Sequence, residues 1–141
     1  MSVRKNNTVV DCGDGTQDTY DNEPFSFLTT VKYTADSGFQ DQDYEIVGEL
    51  TNNTISHREY IEEADIGKSV NKLGFGSFDV CKKLKSITIP NTVTYIDSRS
   101  FFDCISLTEM TIPATVDTFG VDVFWGCSNL KNITFEGKKM A

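Results

Sequence analysis

The sequence is poor in the residues that mark several large functional classes. It holds one histidine, one tryptophan and three prolines in 141 residues. The lone histidine, His57 in Ile55-Ser56-His57-Arg58-Glu59-Tyr60, has no recognisable nucleophile beside it, so a catalytic dyad finds no support. No pattern sets two carboxylates in one apolar cleft. No glycine-rich phosphate loop is present, since Gly74-Phe75-Gly76 reads as ordinary turn chemistry. The expectation is a protein that is not an enzyme and takes no cofactor. No apolar run approaches the roughly 18 residues of a membrane span. The polar start, Met1-Ser2-Val3-Arg4-Lys5-Asn6-Asn7-Thr8, holds no apolar core of a secretory signal. Neither membrane insertion nor a signal peptide is expected in the sequence as it stands.

Positive charge is scarce as well, and unevenly so. The net charge is −8, but residues 1–65 hold 4 Lys/Arg against 14 Asp/Glu, whereas residues 66–141 hold 9 against 7. The acidic half repels phosphates and anionic lipid, and the other half has no basic stripe interleaved with aromatics, so nucleic acid is excluded as a partner.

What is present is a repeat. Cys81, Cys104 and Cys127 are spaced by 23 residues, and the same interval relates Val70, Val93 and Val116. It also relates Leu73, Ile96 and Phe119; Phe78, Phe101 and Phe124; and Leu84, Leu107 and Leu130. Ile87, Met110 and Ile133, then Ile89, Ile112 and Phe135, complete seven in-phase columns without an insertion. Each copy reads as one solenoid coil. In Leu84-Lys85-Ser86-Ile87-Thr88-Ile89 the last residues alternate as a strand does. Pro90 and Pro113 end the first two strands, because proline cannot donate to a continuing ladder. Val93 and Ile96 open a second extended side, and Ser98–Cys104 is expected to form a single helical or 3₁₀ turn. Going back 23 residues from Leu84, Ile87 and Ile89 reaches Ile61, Ala64 and Ile66, which suggests a lead-in strand at 61–66 rather than a full coil.

The pattern C-x-x-L-x-x-I-x-I-P-x-x-V-x-x-I-x-x-x-x-F-x-x-C, from Cys81 to Cys104, resembles the BspA-like leucine-rich repeat. The resemblance covers roughly residues 61–136. It implies a curved, mostly β solenoid without a catalytic centre. Members of that family are often surface adhesins, and related repeats occur in protists and viruses.

Residues 1–23 offer little to bury, and Asp11 to Glu23 is turn-rich and acidic, so an extended or disordered arm is expected. Calcium chemistry fails there: with Gly15 as the loop glycine, Val10 and Cys12 fall where oxygen ligands belong. In residues 24–60, Phe25, Phe27, Val31 and Tyr33 share one face of a strand. Asp36-Ser37-Gly38 turns it, and Tyr44, Ile46, Gly48 and Leu50 continue with period two. The predicted organisation is therefore an arm (1–23), a β-hairpin region capping the solenoid (24–60), a mainly β solenoid of three 23-residue coils (61–137) and a tail (138–141).

The repeat cysteines, one per coil, lack the tight pairs of zinc sites and read as a ladder of small buried thiols, with Cys12 apart as a free thiol. The outward positions of the strands, Ser86, Thr88, Glu109, Thr111, Asn132 and Thr134, are small and polar and lack the usual anchors of an interface. Asn6, Asn52 and Asn132 begin N-x-[ST] triplets, which matter only for a secreted chain. Asp79, Phe102 and Trp125 form a column beside the core phenylalanines; its aromatics either project at the rim or tuck under the next coil. Ile133 and Phe135 belong to a last coil with no further repeat to cover it, which opens a route to self-association. Candidate protein-binding residues are thus Phe102, Trp125, Ile133 and Phe135, with Tyr20 and Phe25 on the arm side. The function expected is a structural or interaction module whose arm docks into a larger assembly, such as a virion, fibre or cytoskeletal complex. The alternative is a surface or secreted adhesin binding host protein through its repeats.

Overall fold

A period of 23 residues fixes the architecture, because in a solenoid the repeat length becomes the pairing register between neighbouring coils. The computed structural model describes residues 9–11, 17–19 and 27–137. Two short strands in the acidic segment, β1 (Val9–Asp11) and β2 (Gln17–Thr19), pair antiparallel. Then follow β3 (Thr29–Tyr33), a 3₁₀ turn at Ala35–Ser37, and β4 (Gln42–Tyr44). Gly38 at φ +84° takes the left-handed conformation that closes this hairpin. β4 pairs antiparallel with β3, as the Asp36-Ser37-Gly38 turn foretold. Strand β3 begins at Thr29 and turns Val31 and Tyr33 into the core, whereas Phe27 precedes the strand and is exposed. Phe25 and Tyr20, like Cys12, lie outside the described residues.

The period-two run does not continue the hairpin. β5 (Gly48–Leu50) leaves it and pairs parallel with β7 (Val70–Leu73), in a separate sheet. Residues from Ile46 onward thus form an additional coil, with Leu50, Ile55, Ile61, Ala64 and Ile66 all buried. These lie 23 residues before Leu73, Phe78, Leu84, Ile87 and Ile89. β6 (Ile61–Asp65) is the second side of that coil rather than an isolated lead-in strand. The sequence hides it because Ile55 and Arg58 stand where later coils carry phenylalanine and cysteine.

Coil then follows coil through β8 (Ser86–Thr88), β9 (Tyr95–Ile96), β10 (Glu109–Ile112), β11 (Thr118–Phe119) and β12 (Asn132–Phe135). One side is a four-stranded sheet in the order β11-β9-β7-β5, all parallel. Another has the order β4-β3-β6-β8, where antiparallel β3 and β4 cover the N-terminal edge, and β10 pairs parallel with β12 further along. Ala64 faces Ile87, Leu73 faces Ile96 and Met110 faces Ile133, each one repeat apart.

Apart from a 3₁₀ helix at Arg58–Tyr60 in the first coil, the third side is neither helix nor single 3₁₀ turn. It is a chain of tight turns whose N–H groups donate to the next coil: Phe78 to Ser100, Phe101 to Val123 and Asp103 to Trp125, at 2.7–2.9 Å. Left-handed residues recur in phase there. Gly76, Arg99 and Asp122 form one column and His57, Val80, Asp103 and Gly126 another, all at positive φ. From the second coil on, two such residues per coil break any helix and aim the backbone groups along the solenoid axis, so the coils satisfy one another.

Candidate functional site

Inside the coils, like residues stack on like. The Phe78, Phe101 and Phe124 rings lie 5.8 and 5.6 Å apart and nearly parallel. The Cys104 thiol donates to the Phe78 carbonyl at 3.1 Å, and Cys127 to that of Phe101 at 2.9 Å. Cys81, Cys104 and Cys127 are free. Burial pushes the Cys81 thiol up to about 12 and the Cys104 thiol higher still, so both stay protonated and unreactive. This is the buried thiol ladder that the spacing indicated. Among the described residues, no group of three or more His, Cys, Asp or Glu comes together in a way that could hold a metal ion. No helix there is long and apolar enough to cross a membrane.

Two polar ladders escaped the sequence reading. Buried Ser77 donates to the Leu50 carbonyl at 3.1 Å, and Ser100 to those of Asp97 and Gly74 at 2.7 and 3.2 Å. Thr92 and Thr115 donate to Val70 and Val93 of the preceding coil at 2.7 and 2.8 Å. Their 23-residue spacing was the available signal. Arg58 was missed too. It occupies the cysteine phase of the first coil, pairs with Asp79 at 2.7 Å and donates to the Gly76 carbonyl at 3.2 Å.

At the C-terminal end the same columns meet no further coil among the described residues. Phe135 is 56% exposed and Ile133 39%, whereas Ile112 and Met110, one coil earlier, are buried at 0% and 3%. Phe119 is 40% exposed and meets Phe135 edge-to-face at 6.2 Å. Phe124, Cys127 and Leu130 are half-buried. Strand β12 pairs with β10 on one side, and every residue in it is exposed. Beside this end stands the outer aromatic pair. Trp125 is 58% exposed and stacks on half-buried Phe102 at 4.8 Å, while the Arg99 guanidinium sits 3.8 Å from the Phe102 ring centre. The two rings are thus neither wholly tucked away nor wholly free. Ile133, Phe135 and Trp125 gather at one end, with Phe102 one coil inward. An open groove elsewhere carries Lys82, Lys83 and Lys85, the last paired with Glu62 at 3.0 Å.

Stacked turns, in-phase parallel strands and an apolar ladder together define the repeat type, and residues 49–140 match a family described as a BspA type leucine rich repeat region of six copies. The chain belongs to the BspA-type leucine-rich repeat family. Such leucine-rich repeat modules are generally non-enzymatic and bind proteins. Among solved structures, the chain is similar to a leucine rich repeat protein of T. pallidum, with 18% identity over 71% of this chain and 66% of that one, at a TM-score of 0.46. It is also similar to a leucine rich cell surface protein of Faecalibacterium prausnitzii, with 20% identity, 64% and 30% coverage and a TM-score of 0.44. The BspA-type chain thus spans just under two thirds of the first protein and less than a third of the second. Comparison with curated proteins gives no match.

Proposed function

We propose that this BspA-type chain is a non-enzymatic docking module. The solenoid is a rigid body that joins a larger assembly through its exposed aromatic residues. The observation that carries this reading is Trp125, exposed and stacked on Phe102, beside the exposed Phe119, Ile133 and Phe135. Such a surface, rimmed by polar residues and flanked by Trp125, has the composition of an association patch. The outward strand positions Ser86, Thr88, Glu109 and Thr111 are exposed, small and polar, and supply no anchor for a host protein. That favours assembly over adhesion. The acidic arm, residues 1–23 with 2 Lys/Arg against 5 Asp/Glu, adds a second contact for a basic partner surface.

The test is fractionation of the native source. Recovery of the intact chain in fixed ratio with large particles is the expected result. A Trp125→Ala, Phe135→Ser variant should be lost from those particles while unfolding at an unchanged denaturant midpoint. Deletion of residues 1–23 weighs the arm separately. Recovery in surface-released protein, with the variant unaffected, would sink the docking reading and favour the adhesin.

A further inference from the structure

We infer that the lysine-lined groove between the β3–β4 hairpin and the coils takes a short, extended, acidic segment of a partner protein. The inference goes beyond the docking reading, because no groove residue belongs to the aromatic group described above. The groove crosses successive layers of the stack. Ala35, in the hairpin turn, forms one wall, and Ile105 of the third coil forms the other. Lys82, Lys83 and Lys85 of the second coil lie between them, beside Glu62 of the first. Layers about 4.8 Å apart make the path from hairpin to third coil about 14 Å long, the reach of about four extended residues. Hydrogen bonds fix the walls. The Thr34 N–H donates to the Tyr60 carbonyl at 2.9 Å and the Lys85 N–H to that of Glu62 at 2.8 Å. The Ser106 hydroxyl donates to the Lys82 carbonyl at 2.6 Å.

Charge decides the occupant. Three lysines against Glu62 alone give the lining a balance of +2, inside a chain of −8. Glu62 takes Lys85 at 3.0 Å. Lys82 and Lys83 are exposed and have no ion-pair partner among the described residues. Arg58 and Lys72, by contrast, already face carboxylates of this chain. Two free ammonium groups on adjacent residues suit two carboxylates of a partner. Ala35 and Ile105, both exposed, leave room for an apolar side chain between those carboxylates. A phosphate site is built otherwise, from arginine forks or convergent backbone N–H groups, and this lining holds no arginine. Contacts of this kind sit at a solvated surface, so the binding is weak and falls with salt.

An NMR titration of the full ¹⁵N-labelled chain with the peptide serine–glutamate–leucine–glutamate–serine tests this. Amide shifts should centre on Lys82, Lys83, Ile105 and Ser106, with a Kd of about 1 mM or tighter. Raising the salt from about 50 to about 300 mM should weaken binding several-fold. Lys82→Glu and Lys83→Glu should each weaken it about fivefold. Lys68→Glu, the same change of charge past the far end of β6, should leave it unaltered. The glutamine version of the peptide should not bind. Should a lysine variant unfold, the salt dependence and the glutamine peptide decide the matter on the unaltered chain. No groove shifts at about 5 mM peptide, equal binding of the glutamine peptide, or an equal loss in Lys68→Glu would overturn the inference. Tighter binding of inorganic phosphate at the same amides would overturn it in favour of a phosphate site. Peptide binding that appears only after deletion of residues 1–23 would assign the groove to the chain's own acidic segment instead of a partner.

Discussion

The first and last coils carry the same columns of residues to different fates. In the first, Ile55, Ile61 and Ala64 are as well covered as their counterparts in the middle of the stack. In the last, Phe124 and Leu130 are half-buried, and Ile133 is exposed. Hydrophobicity does not separate them, since the last coil is the more aromatic. What separates them is the neighbour on the outer side: β3 and β4 close one end, and no described residue closes the other. In a one-dimensional stack a coil's stability is its own contribution plus its interfaces with its neighbours, so cover by a neighbour decides how far each column is buried.

Four experiments would break or sharpen that contrast. The largest effect is expected from the phenylalanine ladder. Phe101→Ala should cost about 3–5 kcal/mol, because the ring is sandwiched between Phe78 and Phe124 and fully buried. Phe124→Ala, with one side open, should cost less than half as much. Equal losses in urea denaturation would mean that the last coil is covered in solution.

At the other end, Arg58→Ala should cost about 2 kcal/mol, since it leaves Asp79 unpaired and removes the donor to the Gly76 carbonyl. If the equilibrium unfolding midpoint does not move, Arg58 does not close the cysteine column.

The pH dependence comes next. The buried Cys81 thiol is pushed from 9.0 up to about 12, and Cys104 is also raised, by desolvation of the thiolate. The unfolded chain therefore ionises first, and stability, fully present below pH 9, is lost as pH rises toward 12. Each such thiol should lower the unfolding free energy by about 1.4 kcal/mol per pH unit in that window. Cys81→Ala should flatten the slope by one thiol's share. Cys127, only half-buried, should contribute less when replaced in the same titration.

The smallest effect is a gain. Val80 is β-branched, exposed and held at φ +57°, in a column whose other members are His57, Asp103 and Gly126. Asparagine tolerates that conformation far better than valine. Val80→Asn should raise stability by about 1 kcal/mol. A lowered melting temperature would show that Val80 packs usefully after all.

Most of the fold was legible because 23-residue spacing is both a sequence period and a strand register. The seven columns named the core residues of the last three coils, and the thiol ladder followed from the cysteine interval. The additional first coil was not legible, because Arg58 and Ile55 break the pattern at its two most diagnostic positions. Nor were the left-handed columns, since Arg99, Val80 and Asp122 are not residues that announce positive φ as glycine does. At the candidate site, Ile133 and Phe135 could be placed in the last repeat by counting. The stacking of Trp125 on Phe102, with Arg99 over the latter, could not.

By itself the sequence determined the repeat, its register, the family resemblance and the identity of the buried ladders, because periodic burial requires periodic apolar residues. Tertiary structure alone decided where the solenoid begins, how β3 and β4 seal its first edge and how much of the last coil stays exposed. Those outcomes depend on which neighbour covers a residue, and coverage by a neighbour is a property of the stack that no local spacing encodes.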